Sequence, residues 1–557
     1  MDHVSHLERI SNPPLSSLSG KDEAGYANAK TPDTIEGGAL RPGGQPNLWS
    51  FQHIGLVGQY MGIGIVYGIL YRISYPFLTV YLRMSGVETA SAGVLILYPW
   101  TLKMFIGLIS DCFPIFGYRR RPYVVGGWLL TFVMCFIMIF VPTGDPYFPE
   151  LRLSYLQESE MTDAEVASLN RDAPQAGVKF IVMMVIANLG LVVALTASDG
   201  VLVELGQREP ESVRGTAMAA TTMVQQIFYV VSAAIMGFGM NSDDYGGTYS
   251  WAFGFNGLMV ICAVSSLVLV PISWYCIQEE RVTKSMSFKQ GLYDIYQLIH
   301  HRVMYQYLAF RFFRNVFSYF SVTADPLIQV YWARVTPLNS NLVGVFGYGI
   351  GAIAAYWTAR YGLNWNWRTM IALSQVFVII LDAVPTLLTI WNVYRSQWFW
   401  LGGPLLETVP STVGYIVSTF VMTEIIEEGK EAGTFGLIST VATIASPFST
   451  VLYKNVCANF DLETPFILAD DTHVHTELTY AYIIAYAFQI FSLALLVLLP
   501  RQKVETQEMK RNGGTSKLMA NITVAYLTFA FLWSLMTNIM TFSSTTSCLK
   551  IAGGSGC

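Results

Sequence analysis

A few charged side chains sit inside long apolar runs of this chain, and they are the residues best able to do chemistry. Asp382 and Glu407 fall near the middle of two such runs; Lys103 and Asp199 lie in one half of theirs. Arg311 and Arg314 stand near the start of another run, while Arg72 and Asp325 lie toward the opposite side. An ionised group is costly in hydrocarbon, so it is kept where it pairs, binds or moves charge. The seven histidines avoid the interiors of the runs, so any proton coupling must pass through carboxylates: Asp382, Glu407 and Asp199 are the candidates. The plainer reading of these acids is a packing hydrogen bond or an ion pair. Lys103, Arg72 and Arg314 could hold an anion. Tyr60, Tyr67, Tyr71 and Tyr75 recur every seven, four and four residues and share one helix face. Tyr75 falls in the interfacial belt, leaving Tyr67 and Tyr71 as candidates for stacking on a flat ring. Phe310, Phe313, Phe317 and Phe320 form a second stripe, and Gln225 and Gln226 are further polar candidates. For both stripes the alternative is simple packing.

The elements that must position these residues follow from composition. Of 557 residues, 53% are hydrophobic and only 13% charged, with a mean hydropathy of +0.43. A soluble surface needs about 25% charge, so this is an all-α polytopic membrane protein. The net charge of −5 excludes a nucleic-acid binder. Seven cysteines with no CxxC pair and no histidine in ligand spacing argue against a disulfide scaffold and a zinc site. No cofactor is expected.

Spans of about 20 apolar residues are predicted near 51–74, 91–109, 123–142, 178–200, 214–239 and 252–277. A second set follows near 303–331, 341–361, 367–391, 398–422, 433–453 and 477–500, with one more at 518–541. The domains expected are a disordered cytosolic tail over 1–50, a six-helix bundle over 51–277, a cytosolic linker over 278–302 and a second six-helix bundle over 303–500. Residues 501–557 hold a basic loop, the thirteenth helix and a short outer tail. Phe288, Leu292, Ile295 and Ile299 recur at helical spacing in the linker, predicting an interfacial amphipathic helix. Most Lys and Arg fall in segments on the N-terminal side of the membrane, which makes that side cytosolic. Cys548 and Cys557 then lie outside, where they either pair or stay free.

The two halves echo each other. Glu204, a polar stretch and Gly215-Thr216 in the first half answer Glu424, a polar stretch and Gly433-Thr434 in the second. Gly58/Gly62, Gly64/Gly68 and Gly347/Gly351 carry the small-xxx-small spacing of close helix contacts. A substrate site between two such halves is expected. The most specific stretch is PWTLKMFIGLISDCFPIFGYRRRPY, residues 99–123. Here Asp111 can pair across a short turn with Arg119 or Arg120, a contact made in one conformational state and broken in another. Glu204 joins them as a gating candidate. The alternative for the arginines is topological anchoring alone, and Arg121 is assigned only that.

This block, with G-x-x-S-D, a proline and G-Y-R-R-x-x-Y, resembles the signature of the folate-biopterin transporter (BT1) family of the major facilitator superfamily. Pro99-Trp100, Lys103 and SDGVLVE, with Asp199 and Glu204, fit the same pattern. EAGTFGLIS (431–439) looks like the family's E-G-T-x-F-A-L stretch but carries Ala432 as an extra residue, which leaves Glu431 without an assigned role. The resemblance implies a major-facilitator-like 6+6 bundle with one additional C-terminal transmembrane helix. It also implies secondary transport of a small molecule, a pterin or folate, and a proton-coupled monomer is expected. The plasma membrane is the default address. Three alternatives stay open: a facilitator for another solute such as S-adenosylmethionine, a sugar or a nucleoside; an ion channel; and a receptor on the same fold. The chain has no HExxH helix or GxSxG elbow, so no enzyme is expected.

Overall fold

The computed structural model describes residues 38–549 apart from 85–91, 94, 151, 154–160, 246–248, 282–286, 336, 427–430, 458, 463, 543, 544, 547 and 548. Cys548 and Cys557 lie outside the described residues, as does the tail over 1–37.

Among the described residues the regular structure is helical, because each apolar stretch meets its own backbone hydrogen bonds, as a membrane interior demands. The first group is α1 (Ile54–Arg72), α2 (Lys103–Cys112), α3 (Arg121–Phe140), α4 (Ala173–Arg208), α5 (Thr216–Gly239) and α6 (Gly254–Tyr275). A linker helix follows, α7 (Phe288–His300). The second group is α8 (Arg302–Ser318), α9 (Pro337–Tyr361), α10 (Trp367–Ile390), α11 (Gln397–Ile425), α12 (Glu431–Cys457) and α13 (Thr472–Phe491). Two more close the chain, α14 (Lys503–Asn512) and α15 (Lys517–Phe542). Among the described residues ten helices are long and apolar enough to cross a membrane, so the protein is an integral multi-pass membrane protein.

Pro122 and Pro174 occupy the first turns of α3 and α4, where the missing N–H costs nothing. Gly215 stands before α5 at φ 109°, a left-handed conformation that favours glycine. The glycine pairs face neighbouring helices: Gly58 and Gly62 meet α6, Gly64 and Gly68 meet Phe228 and Ser232 of α5, and Gly347 and Gly351 meet Thr408 and Thr412 of α11. Within the first group α3 packs on α4 and α6, and α1 on α5 and α6; within the second, α10 and α9 pack on α11, and α8 on α12. The groups meet along two seams, α2 with α12 and α5 with α9.

The turns gather at two ends. We call the end holding residues 38–53 the N-terminal face; it also carries the 113–120 turn, Ser212 beside Asn364, and Arg501 beside Trp367. At the far face, Tyr147 bonds Tyr81 and Asn256 bonds Val141. The linker helix is not only interfacial. Ile295 and Ile299 are buried, Gly291 lies against Cys112, and Leu292 is left exposed. Helix α15 lies outside the α2/α12 seam: Tyr526 and Trp533 meet Phe312, Phe313 and Phe448, and Phe531 meets Phe105 of α2.

Candidate functional site

A cavity of about 710 Å³ opens along the seams, lined from both groups. Three of its four charges are cationic: Lys103 on α2, and Arg311 and Arg314 one turn apart on α8. The fourth is Asp199. Lys103 Nζ donates to Asp199 Oδ2 at 2.7 Å, and the Tyr60 hydroxyl donates to Asp199 Oδ1 at 2.8 Å. The two arginines have neutral partners: Arg311 donates to Ser418 Oγ at 3.0 Å, and Arg314 to Gln375 Oε1 at 2.9 Å. The cavity therefore carries a surplus of positive charge, flanked by Trp100, Tyr319, Tyr415 and Phe435. Lys103 Nζ sits 5.4 Å from the ring centres of both Trp100 and Phe435.

Toward the N-terminal face the cavity ends on an ion cluster. Asp111 lies eight residues beyond Lys103 on α2, about 12 Å deeper at 1.5 Å per residue. The wholly buried Arg120 donates to Asp111 Oδ1 at 2.5 Å and Glu431 Oε2 at 2.9 Å, with Glu204 Oε1 at 3.5 Å. Glu279 takes the backbone N–H groups of Arg119, Arg120 and Arg121, satisfying orphan donors at the start of α3. Gly107 and Gly436 let α2 and α12 touch: a Cβ on Gly107 would strike the Ala432 carbonyl, and one on Gly436 the Lys103 carbonyl. The extra residue Ala432 is thus part of the closest contact, and Glu431 reaches the cluster beside it. Gly107→Leu is expected to hold this seam apart, lengthening spin-label distances across α2 and α12 at the N-terminal face and abolishing uptake.

Most of the other residues named from sequence lie elsewhere. Arg72 is twelve residues beyond Tyr60, about 18 Å toward the far face, where it bonds Gly68 O and lies 4.8 Å over Tyr348. Tyr67 touches Trp100, Tyr229 and Tyr71 rather than lining the cavity, and Tyr71 is exposed. The phenylalanine stripe packs: Phe313 on Tyr526, and Phe317 and Phe320 on Phe488. Gln225 lines the cavity. Asp382 and Glu407 share a separate chamber of about 230 Å³ with Asp325, adjoining the cavity at Ser318, Tyr319 and Gln489. There the Tyr486 hydroxyl donates to Asp382 at 2.7 Å and the Tyr482 hydroxyl to Asp325 at 3.0 Å.

Arg41 and Arg214 were not singled out from sequence, and Glu431 was named there without a role. Arg214 pairs with Glu424 at 2.6 Å, joining the 209–215 turn to α11 across the two groups. The acid that the repeat matches to Glu204 thus also holds an arginine, a signal present in the sequence as that repeat. Nearby, burial pushes the Lys503 ammonium down to about 8, and it donates to Glu211 O.

Another cavity, about 870 Å³, lies at the far face, away from the seams, and ends on an Arg395–Asp470 pair at 2.6 Å. Hydrogen bonding from Arg395 holds the Asp470 carboxyl below its usual range. Its folded value is depressed, so its contribution is full above about 3.8 and fades as pH falls through the folded value. Asp470→Asn is expected to cost about 1 kcal/mol at neutral pH, a difference in thermal unfolding that vanishes in acid.

Residues 63–517 match the profile of the BT1 family, over most of the chain. The chain belongs to the BT1 family. A folate-biopterin transporter of Synechocystis sp. (strain ATCC 27184 / PCC 6803 / Kazusa) is 22% identical over 391 residues, covering 65% of this BT1 chain and 67% of that protein. Two solved structures share the fold. The proton:xylose symporter XylE bound to 6-bromo-6-deoxy-D-glucose has a TM-score of 0.51 at 11% identity, over 83% of this chain and 99% of that one. A bacterial homologue of the iron transporter ferroportin in its outward-facing state has a TM-score of 0.51 at 12% identity, over 80% and 98%. This BT1 protein is therefore a membrane transporter of the major facilitator type and not an enzyme, and its substrate is a small molecule.

Proposed function

We propose that the chain carries a pterin or folate by alternating access, with the seam cavity as its substrate site and protons as the driving ion. The observation that carries this is the cavity's chemistry. Lys103, Arg311 and Arg314 outnumber Asp199, and aromatic rings stand beside them. That combination suits carboxylates at one end of a solute and a flat ring at the other. Arg311 was seen in its span but not assigned this role; Arg72, Tyr67 and Tyr71 act from outside the cavity, toward the far face.

Protonating Asp199 frees Lys103 for the substrate's carboxylate, which couples proton and anion entry at one site. Asp382 and Glu407, with Asp325, take up protons in the adjoining chamber. Asp111, Arg119, Arg120 and Glu204 belong to the gate at the N-terminal face. The Lys and Arg distribution supports a cytosolic N-terminal face, and we place the protein in the plasma membrane as a monomer.

The test is uptake of labelled folate and biopterin into folate-transport-deficient cells, with and without a protonophore. Saturable, protonophore-sensitive uptake is expected. Absence of uptake by surface-localised protein would overturn the pterin/folate assignment, and S-adenosylmethionine would be tried next.

A further inference from the structure

Residues 38–43 cross the N-terminal face although the sequence puts them in a disordered tail. They hold no apolar pattern and need none, because hydrogen bonds and charge fix them. The N–H groups of Leu40 and Arg41 both donate to Gln207 O at 3.0 Å, on the last turn of α4. Arg214 donates to Gly38 O, and Gly43 lies on the Arg208 side chain. The Arg41 side chain, 10% exposed, points down into the ion cluster. It bonds Glu431, and its Nη1 lies 3.8 Å from Glu204 Oε2.

The two acids belong to different halves. Glu204 is on α4, and Glu431 opens α12. Arg41 therefore ties both carboxylates from outside either bundle, beside Arg120. Without it, Arg120 still bridges Asp111, Glu204 and Glu431, with Arg119 nearby as another positive charge.

We propose that residues 38–43 form a latch: Arg41 holds the N-terminal face shut and must release Glu431 before the α2/α12 seam can part. This rests on the alternating-access reading above. Because its backbone is fixed to Gln207 of α4, the latch stays with the first half when the halves separate. The bond to Glu431 is the one that breaks.

Hydrogen exchange on the full chain, purified without solute, tests this. Arg41→Ala is expected to speed exchange about tenfold in the peptides spanning 103–112 and 431–440, the loss expected for a charge-assisted bond. Exchange in α3 should stay unchanged, and Arg41→Lys should give a smaller rise in the same peptides. Unchanged exchange at the seam in both variants would overturn the latch. So would faster exchange spread evenly over α3 and α4, the mark of a merely structural residue. No solute enters the measurement, so its failure leaves the substrate assignment standing, and a failed uptake assay leaves the latch standing.

Discussion

Lys103→Ala is expected to abolish uptake and to lower stability by about 3–5 kcal/mol, the usual cost of leaving one partner of a buried ion pair alone. Both side chains of the pair are 5% exposed, so bulk water is a poor replacement for the lost ammonium. Asp199 would keep only the Tyr60 hydroxyl as a partner. Combining Lys103→Ala with Asp199→Asn removes the stranded charge and still offers Tyr60 an acceptor. Most of the stability should then return, because the penalty lay in the unpaired carboxylate. Uptake should not return, since the cation facing the substrate is still missing. Thermal unfolding in detergent, run beside uptake, separates the two effects. A single variant that melts like the wild type would show that Asp199 does not depend on Lys103.

Arg120→Ala should have the larger structural effect. Its guanidinium is wholly buried and contacts Ser110 Oγ at 3.0 Å as well as the three carboxylates. These acids come from α2, α4 and α12, so one side chain ties three helices and both halves. Removing it leaves Glu204 and Glu431 to Arg41, with Arg119 nearby, and Asp111 to the Gly433 N–H, at a cost of at least about 3–5 kcal/mol. Little folded protein should be recovered from membranes. Arg120→Lys keeps the charge but loses the planar fork that serves Asp111 and Glu431 together. It should accumulate and yet fail to keep the N-terminal face closed. Normal yield and melting of Arg120→Ala would contradict this assignment.

How much of this was legible in the sequence depended on the distance along the chain. Asp111 and Arg120 are nine residues apart across a turn, close enough for pairing to be read from the motif. Lys103 and Asp199 are each visible as charges in apolar runs, but 96 residues separate them, and no local pattern announces a pair. The tyrosine stripe gives the face of α1 correctly, since its spacing follows the helical period. Periodicity carries no depth, so it could not tell Tyr60 in the cavity from Tyr71 at the far end. Arg41 was invisible because composition identifies segments that bury apolar surface, and this one is held by polar bonds instead. Glu431 could be seen, but the extra Ala432 hid its role. Only packing shows that Ala432 fits against Gly107 and leaves the carboxylate on Arg120.

The central claim is that the seam cavity binds an anionic pterin or folate through its cations, and Arg314 is the most direct handle on it. Arg314 donates to Gln375 and Asn315, both neutral, and a gain of substrate contact is its clearest role. The measurement is uptake of labelled folate by proteoliposomes containing wild-type or Arg314→Ala protein, matched for amount and melting temperature. Saturable uptake by the wild type, reduced about tenfold or more by the substitution, is the predicted result. Equal saturable uptake by both proteins would contradict the account, because the substrate would then be held somewhere other than this cavity.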